Sequence, residues 1–248
     1  MNNPICISTG AVYKISEDMN KKIELLKEFL PDGIELCFAD SQYLIDFKIT
    51  EENLAYLRTL KYVSIHAPWL GIRYGDNERT FIVFQKINNL YHEAGAKNVV
   101  FHADFIDSFG AFENCDFTVS IENNDWKYPF HLVSEIELLL KDNNKFKFTF
   151  DFAHTLTVSA EDIPIYVEKF KDRLIQVHFS YLSKELSNHW FLHKFDSEEM
   201  RQLIRPLKSL NVPIVLECVA NDKSELSMIK EEIKYVKNIF TGFPLSRE

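Results

Sequence analysis

Six short apolar runs of this chain end in an imidazole or a carboxylate. Their last residues are His66, His102, Glu122, Asp151, His178 and Glu217. Nitrogen and oxygen donors without a thiolate among them suit Zn2+, Mn2+, Fe2+ or Co2+. Glu122, Asp151, His178 and Glu217 could hold one ion and leave positions for substrate. His66 and His102 could hold a second, with Glu122 shared between the two. Two ions about 3.5–4 Å apart would activate water and stabilise charge on a phosphoryl oxygen. With one ion, Glu122 and Glu217 could instead be the paired acid and base acting on a metal-polarised hydroxy-ketone. His154 stands three residues after Asp151 and could be a ligand, a neighbour of the ligands or a general acid. His189 and His193 follow the 174–178 run and could reach the same place. His92 and His131 fall in helical stretches and read as surface or structural residues.

A single His or Glu at the end of a strand is ordinarily a hydrogen-bonded loop residue. Six such endings in one chain point instead to a shared site, provided that something brings them together. The runs themselves supply it. In 146–154 the residues Phe146, Phe148 and Phe150 alternate with Lys147 and Thr149, the period of a strand that delivers Asp151 at its end. The runs 62–66, 98–102, 117–122, 174–178 and 212–217 read the same way. Two earlier runs, 4–8 and 33–37, are strands without a terminal ligand. The eight ends fall near residues 8, 37, 66, 102, 122, 151, 178 and 217, so they are spaced by 20 to 39 residues. A strand–helix unit needs about 30 residues. The spacing therefore predicts a single-domain (β/α)8 barrel over residues 1–248, whose strand ends open on one mouth.

Helices are expected between the strands. Ser16 caps one over 17–30, and Thr50 caps another over 51–60. A longer one covers 77–93, with Phe81, Phe84, Ile87 and Tyr91 inward and Gly95 as its stop. Others span 129–141 from Pro129, then 159–170, a stretch from Ser197 toward Pro206, and 224–240. Only fourteen residues separate His102 from Phe117, too few for a full helix with two loops, so the fourth crossover is irregular or helix-poor.

The three tryptophans fall in loops on the ligand side. Trp69, Trp126 and Trp190 could form a wall that stacks on a sugar or a base, or they could fill gaps in loop packing. Lys184, Arg73 and Lys194 could touch an anionic substrate, although solvated roles suit them as well. A formal charge of −9 argues against broad adhesion to nucleic acid or anionic membrane. It leaves room for a nucleic-acid substrate, because bound cations would reverse the local sign. Cys6, Cys37, Cys115 and Cys218 form no CxxC pair and read as free thiols, which suits a reducing compartment. With no leader or membrane span in view, a cytoplasmic protein is expected.

With these residues assembled, the chain resembles the xylose isomerase-like TIM barrels. That superfamily contains sugar isomerases and epimerases alongside the endonuclease IV type of AP endonuclease. The resemblance runs through His66-Ala-Pro-Trp-Leu70, Phe101-His102, Ile121-Glu122-Asn123, Asp151-Phe-Ala-His154, Val177-His178 and Leu216-Glu217. Likeness to endonuclease IV implies a three-zinc set, in which His66, His102, Glu122, Asp151, His154, His178 and Glu217 look like ligands. His189 looks like a further one, in the place of an Asp-x-His pair whose Asp position holds Ser187. Likeness to the isomerases and epimerases implies only the Glu122, Asp151, His178 and Glu217 quartet, with His154 near substrate. Gly33-Ile-Glu-Leu36 is similar to their second strand. The resemblance thus implies a metal-dependent phosphoester hydrolase first, with damaged DNA among its possible substrates. A single-metal sugar, sugar phosphate or keto-acid isomerase or epimerase comes second. A catalytically silent barrel that binds a ligand is the third reading.

Overall fold

The computed structural model describes residues 3–186 and 188–241. Its strands are β1 (Ile5–Ser8), β2 (Gly33–Cys37), β3 (Tyr62–His66), β4 (Asn98–His102), β5 (Val119–Glu122), β6 (Lys147–Asp151), β7 (Leu174–Phe179) and β8 (Ile214–Leu216). All pairs are parallel, and β8 closes onto β1 through Val215 and Cys6. The result is a closed eight-stranded barrel with helices between its strands, the (β/α)8 architecture that the spacing predicts.

Strand alternation divides the residues of each strand between two environments. Outward positions such as Ile34, Ile65, Phe101, Ile121, Phe148, Val177 and Leu216 are buried in one large apolar core under the helices. Several inward positions are polar and paired with one another, beside a small apolar cluster of Cys6, Tyr62 and Val215. Ser64 Oγ donates to Glu35 at 2.9 Å, Asn98 Nδ2 donates to Ser120 Oγ at 2.8 Å, and Tyr62 Oη donates to Gln176 Oε1 at 2.8 Å. His66, His102, Glu122, Asp151, His178 and Glu217 continue these inward rows at the carboxyl end. Their convergence is a consequence of parity: each lies two residues after an inward position of its own run, namely Ser64, Val100, Ser120, Thr149, Gln176 and Val215.

The helices are α1 (Met19–Lys27), α2 (Ser41–Asp46), α3 (Glu51–Leu57), α4 (Glu78–Ala94), α5 (Val133–Asp142), α6 (Phe152–Val158), α7 (Ile163–Phe170), α8 (Glu198–Ile204) and α9 (Leu226–Thr241). Several depart from expectation. Asp18, not Ser16, caps α1, because its Oδ1 accepts from Asn20 N at 2.8 Å and Lys21 N at 3.3 Å. The buried stripe of α4 is Thr80, Val83, Ile87, Leu90 and Ala94, whereas Phe81 is 62% exposed. Asn77 caps that helix and Gly95 ends it at φ 66°, a left-handed conformation that glycine adopts without strain. Pro129 lies outside α5, whose cap is Leu132, with the Glu135 carboxylate accepting from Leu132 N. The stretch 159–170 contributes α7 only from Ile163, and a separate helix, α6, directly follows β6. Asp151 makes α6 possible by accepting from His154 N at 2.6 Å.

The fourth crossover contains no α-helix among the described residues, only two 3-10 turns, Ala103–Phe105 and Phe109–Phe112. Aromatic rings occupy the space instead: Phe112 meets Phe101 edge-on at 5.0 Å and Phe84 at 4.9 Å. No described helix is long and apolar enough to cross a membrane.

Candidate metal centre

Glu122 stands at the middle of the mouth, with four imidazoles around one buried carboxylate. His178 Nδ1 lies 2.8 Å and His154 Nδ1 3.7 Å from Oε1. His66 Nε2 lies 3.1 Å and His102 Nε2 3.8 Å from Oε2. Three are delivered by strands: His66 by β3, His102 by β4, His178 by β7. His154 comes from the first turn of α6, which Asp151 starts. Glu217, one residue beyond β8, places Oε2 3.4 Å from His178 Nδ1.

Three groups of donors result, the atoms of each within 4.8 Å of one another. They are His66, His102 and Glu122; then Glu122, Asp151, His178 and Glu217; then Asp151, His154 and His189. Glu122 belongs to two groups and so does Asp151. His189 arrives from the loop after β7, where the Trp190 and Tyr181 backbones pair at 2.7 and 3.0 Å and Ser180 Oγ contacts His189 Nδ1 at 2.7 Å. Ser187 lies outside the described residues.

Hydrogen bonds behind the rings aim the free nitrogens inward. His66 Nδ1 donates to Ala67 O at 3.2 Å and His102 Nδ1 to Asn124 Oδ1 at 2.9 Å, which turns each Nε2 toward Glu122. His178 is held from behind by Glu35, whose Oε2 lies 3.2 Å from Nε2, so that Nδ1 faces the site. Glu35 is fully buried in β2 and is the main contributor to which the sequence assigns no role. Its one signal is a carboxylate inside the apolar run Gly33-Ile-Glu-Leu36. Asn123 is a second such contributor; its backbone carbonyl accepts from His154 Nδ1 at 2.9 Å.

The electrostatics are those of a donor set short of cations. Burial opposes ionisation of Glu122, yet His178 and His102 hold its carboxyl well below the usual range. Burial pushes Asp151 up to about 7 and raises Glu217 well above an ordinary carboxylate. Burial, reinforced by His154, drives His189 down to about 3. Burial disfavours the charged form of His178, but Glu217, Glu35 and Glu122 outweigh it and raise its pKa well above normal. Asp151 Oδ2 is buried without a hydrogen-bond partner, an atom that a bound cation would satisfy. Cys37 borders the same cavity, and burial raises its thiol well above the usual range. The residues present fit a divalent ion held by nitrogen and oxygen.

The mouth opens into a cavity of about 1170 Å3. Trp69 lines it, its ring edge-on to His66 at 5.3 Å and to His102 at 5.6 Å. Trp126, Trp190 and Lys184 do not, so the expected wall of three tryptophans is not assembled. Trp126 sits on the rim, 44% exposed, with Lys184 Nζ 5.5 Å from its ring, and Trp190 is engaged in pairing with Tyr181. Tyr128 lines the cavity in their place. His193 is drawn away by the buried Glu232 of α9, and Lys194 lies 3.7 Å from Glu231. Arg73 pairs with Asp107 at 2.6 Å. His92 pairs with Asp116 at 3.2 Å and His131 donates to Tyr128 O at 2.7 Å, both away from the site.

No protein-family model matches this chain, and no curated protein matches its sequence. Solved structures match its fold. A D-tagatose 3-epimerase-like protein is similar at a TM-score of 0.68 and 17% identity, over 96% of this chain and 98% of that one. Endonuclease IV from Thermus thermophilus is similar at 0.63 and 14%, over 96% and 98%. A xylose isomerase domain-containing protein from Salmonella typhimurium is similar at 0.62 and 14%, over 97% and 98%. At these identities the likeness is one of fold: a (β/α)8 barrel shared by proteins that differ in chemistry.

Proposed function

We propose that this protein is a divalent-metal-dependent hydrolase that cleaves a phosphoester of a small substrate. The observation that carries the reading is the sharing of Glu122 and Asp151 among three donor groups, which suits adjacent ions rather than one. His66, His102 and Glu122 would hold one ion, and Glu122, Asp151, His178 and Glu217 a second. Asp151, His154 and His189 would hold a third. Bound ions would supply a Lewis acid and an activated water; zinc is favoured by the imidazole-rich donors, with Mn2+, Fe2+ or Co2+ as alternatives.

The chain's own groups do the rest. Trp69 offers an apolar face beside the reacting end. Where the third ion is absent, His154 is the group placed to hold or move a proton at a substrate oxygen. The endonuclease IV likeness supports hydrolysis. A chain of charge −9 has no general affinity for DNA, so damaged DNA is kept as one arm of the test.

A second reading, a single-metal sugar isomerase or epimerase, is favoured by the compact quartet alone and by the epimerase-like neighbour. Elemental analysis after loading with zinc or manganese separates the two. It is to be paired with assays on bis(4-nitrophenyl) phosphate, abasic duplex DNA and a panel of ketoses. Two or three ions per chain with phosphoester cleavage support hydrolysis. One ion with ketose turnover transfers the assignment to isomerisation. No ion and no turnover would leave a ligand-binding barrel.

A further inference from the structure

The cavity has a second end. Away from the metal centre it runs between the segments that follow β1 and β2, where Tyr13, Lys22, Tyr43 and Lys48 line it. Lys22 belongs to α1 and is only 8% exposed. A lysine is seldom buried without a partner. Among the described residues, no carboxylate forms an ion pair with this ammonium and no side chain bonds to it. Glu17, Asp18 and Asp40 line the same end of the cavity, and Glu17 and Asp18 favour the charge on Lys22 without pairing with it. Asp18 Oδ1 caps α1 at 2.8 Å from Asn20 N, Asp40 Oδ1 caps α2 at 2.8 Å from Tyr43 N, and Glu17 is exposed at the rim. An ammonium on a largely buried side chain that faces a cavity and has no direct partner is stabilised by an anion entering that cavity.

We propose that Lys22 binds an oxyanion, phosphate or carboxylate, at the end of the substrate remote from the metal centre. This rests on the reading that the centre receives the reacting end. The volume of about 1170 Å3 exceeds what a ligand confined to the metal ions would need, and an extended substrate would reach both ends. A compact ammonium with three donors suits a tetrahedral or planar oxyanion without demanding one geometry. Burial lowers the Lys22 pKa, which an arriving oxyanion would reverse. Lys48, exposed on the same lobe, adds a second cation beside the carboxylates of Glu17, Asp18 and Asp40.

The test uses the metal-free full chain with its lysines converted to 13C-dimethyl-lysine, titrated separately with inorganic phosphate and with succinate. The resonance missing from the Lys22→Arg spectrum identifies Lys22. It is expected to shift and saturate with at least one of the anions, and the responding anion identifies the group. By calorimetry, Lys22→Met is expected to bind that anion about 10-fold or more weakly, while Lys22→Arg retains binding. Thermal melting of both variants verifies that they fold. A Lys22 resonance unmoved by both anions, or a folded Lys22→Met protein that binds like the parent, overturns the proposal. Metal uptake measured on the same preparations is independent of this result. A parent protein that takes up no metal yet shows the Lys22 shift would overturn the metal reading and keep the anion site.

Discussion

Glu35 Oε2 lies 3.2 Å from His178 Nε2, on the side of the ring away from Glu122 and Glu217. The same oxygen accepts from Ser64 Oγ at 2.9 Å and Gln176 Nε2 at 2.6 Å, so the carboxylate is fixed inside the barrel. Fixing it holds the His178 ring so that Nδ1 faces the ion site. Glu35→Gln keeps the volume and removes the charge. The expected outcome is metal affinity about 10- to 100-fold weaker with a fold that is retained. Titration against a chelator checks this, and unchanged affinity would show that the carboxylate is only structural.

Glu122→Gln should be the most damaging change at the mouth, because two donor groups lose their shared carboxylate. Metal content is expected to fall by more than in His66→Ala, which touches one group alone. Activity found in the assays above should drop by at least about 100-fold. Equal metal contents for the two variants would refute the shared role.

Metal uptake should release protons near neutral pH. Asp151, at about 7, and Glu217, raised further by burial, both carry protons in the metal-free chain, and His178 carries an extra one. An ion displaces them, so affinity should rise as pH increases through about 7 and fall below it. The sign for stability is opposite. Because Asp151 is raised above its ordinary value, its contribution is present at acid pH and is lost as pH climbs through about 7, until an ion arrives. Affinity independent of pH, measured in weak-chelator buffers, would contradict this.

Trp69→Ala should weaken binding of whichever substrate is turned over, whereas Trp126→Ala and Trp190→Ala should leave affinity nearly unchanged or act through stability. Trp69 alone of the three borders the cavity. Steady-state KM for the three variants decides it, and a larger effect at Trp126 than at Trp69 would place substrate on the rim instead.

The start of α1 gives a stability test. Asp18→Ala removes a cap that accepts from two backbone amides and should cost about 1 kcal/mol. Ser16→Ala should cost less than about 0.5 kcal/mol. Denaturant melts of the two proteins compare them directly, and the reverse order would restore Ser16 as the cap.

Much of the site is legible in the sequence because its ordering is local. Strand alternation is a property of neighbouring residues, and it puts His66, Asp151 and His178 on the inward side of their runs wherever the runs go. Spacing near 30 residues then implies a parallel barrel, which turns those inward ends into one mouth. Residue types alone also limit the donors to nitrogen and oxygen. Other features depend on contacts between segments far apart in the chain, and no local pattern encodes them. Glu35 meets His178 across 143 positions, and its burial inside an apolar run has no visible partner until the barrel closes. Helix α6 forms where a loop is expected because Asp151, with one oxygen left over from the site, caps it. Trp190 is diverted by Tyr181, and His193 by Glu232 on α9. The cavity extends along the segments after β1 and β2, where Lys22 lines it, a position that only the assembled barrel sets. Sequence determined which chemistry the strand ends can offer; tertiary packing decided which groups stand behind them and where a substrate can lie.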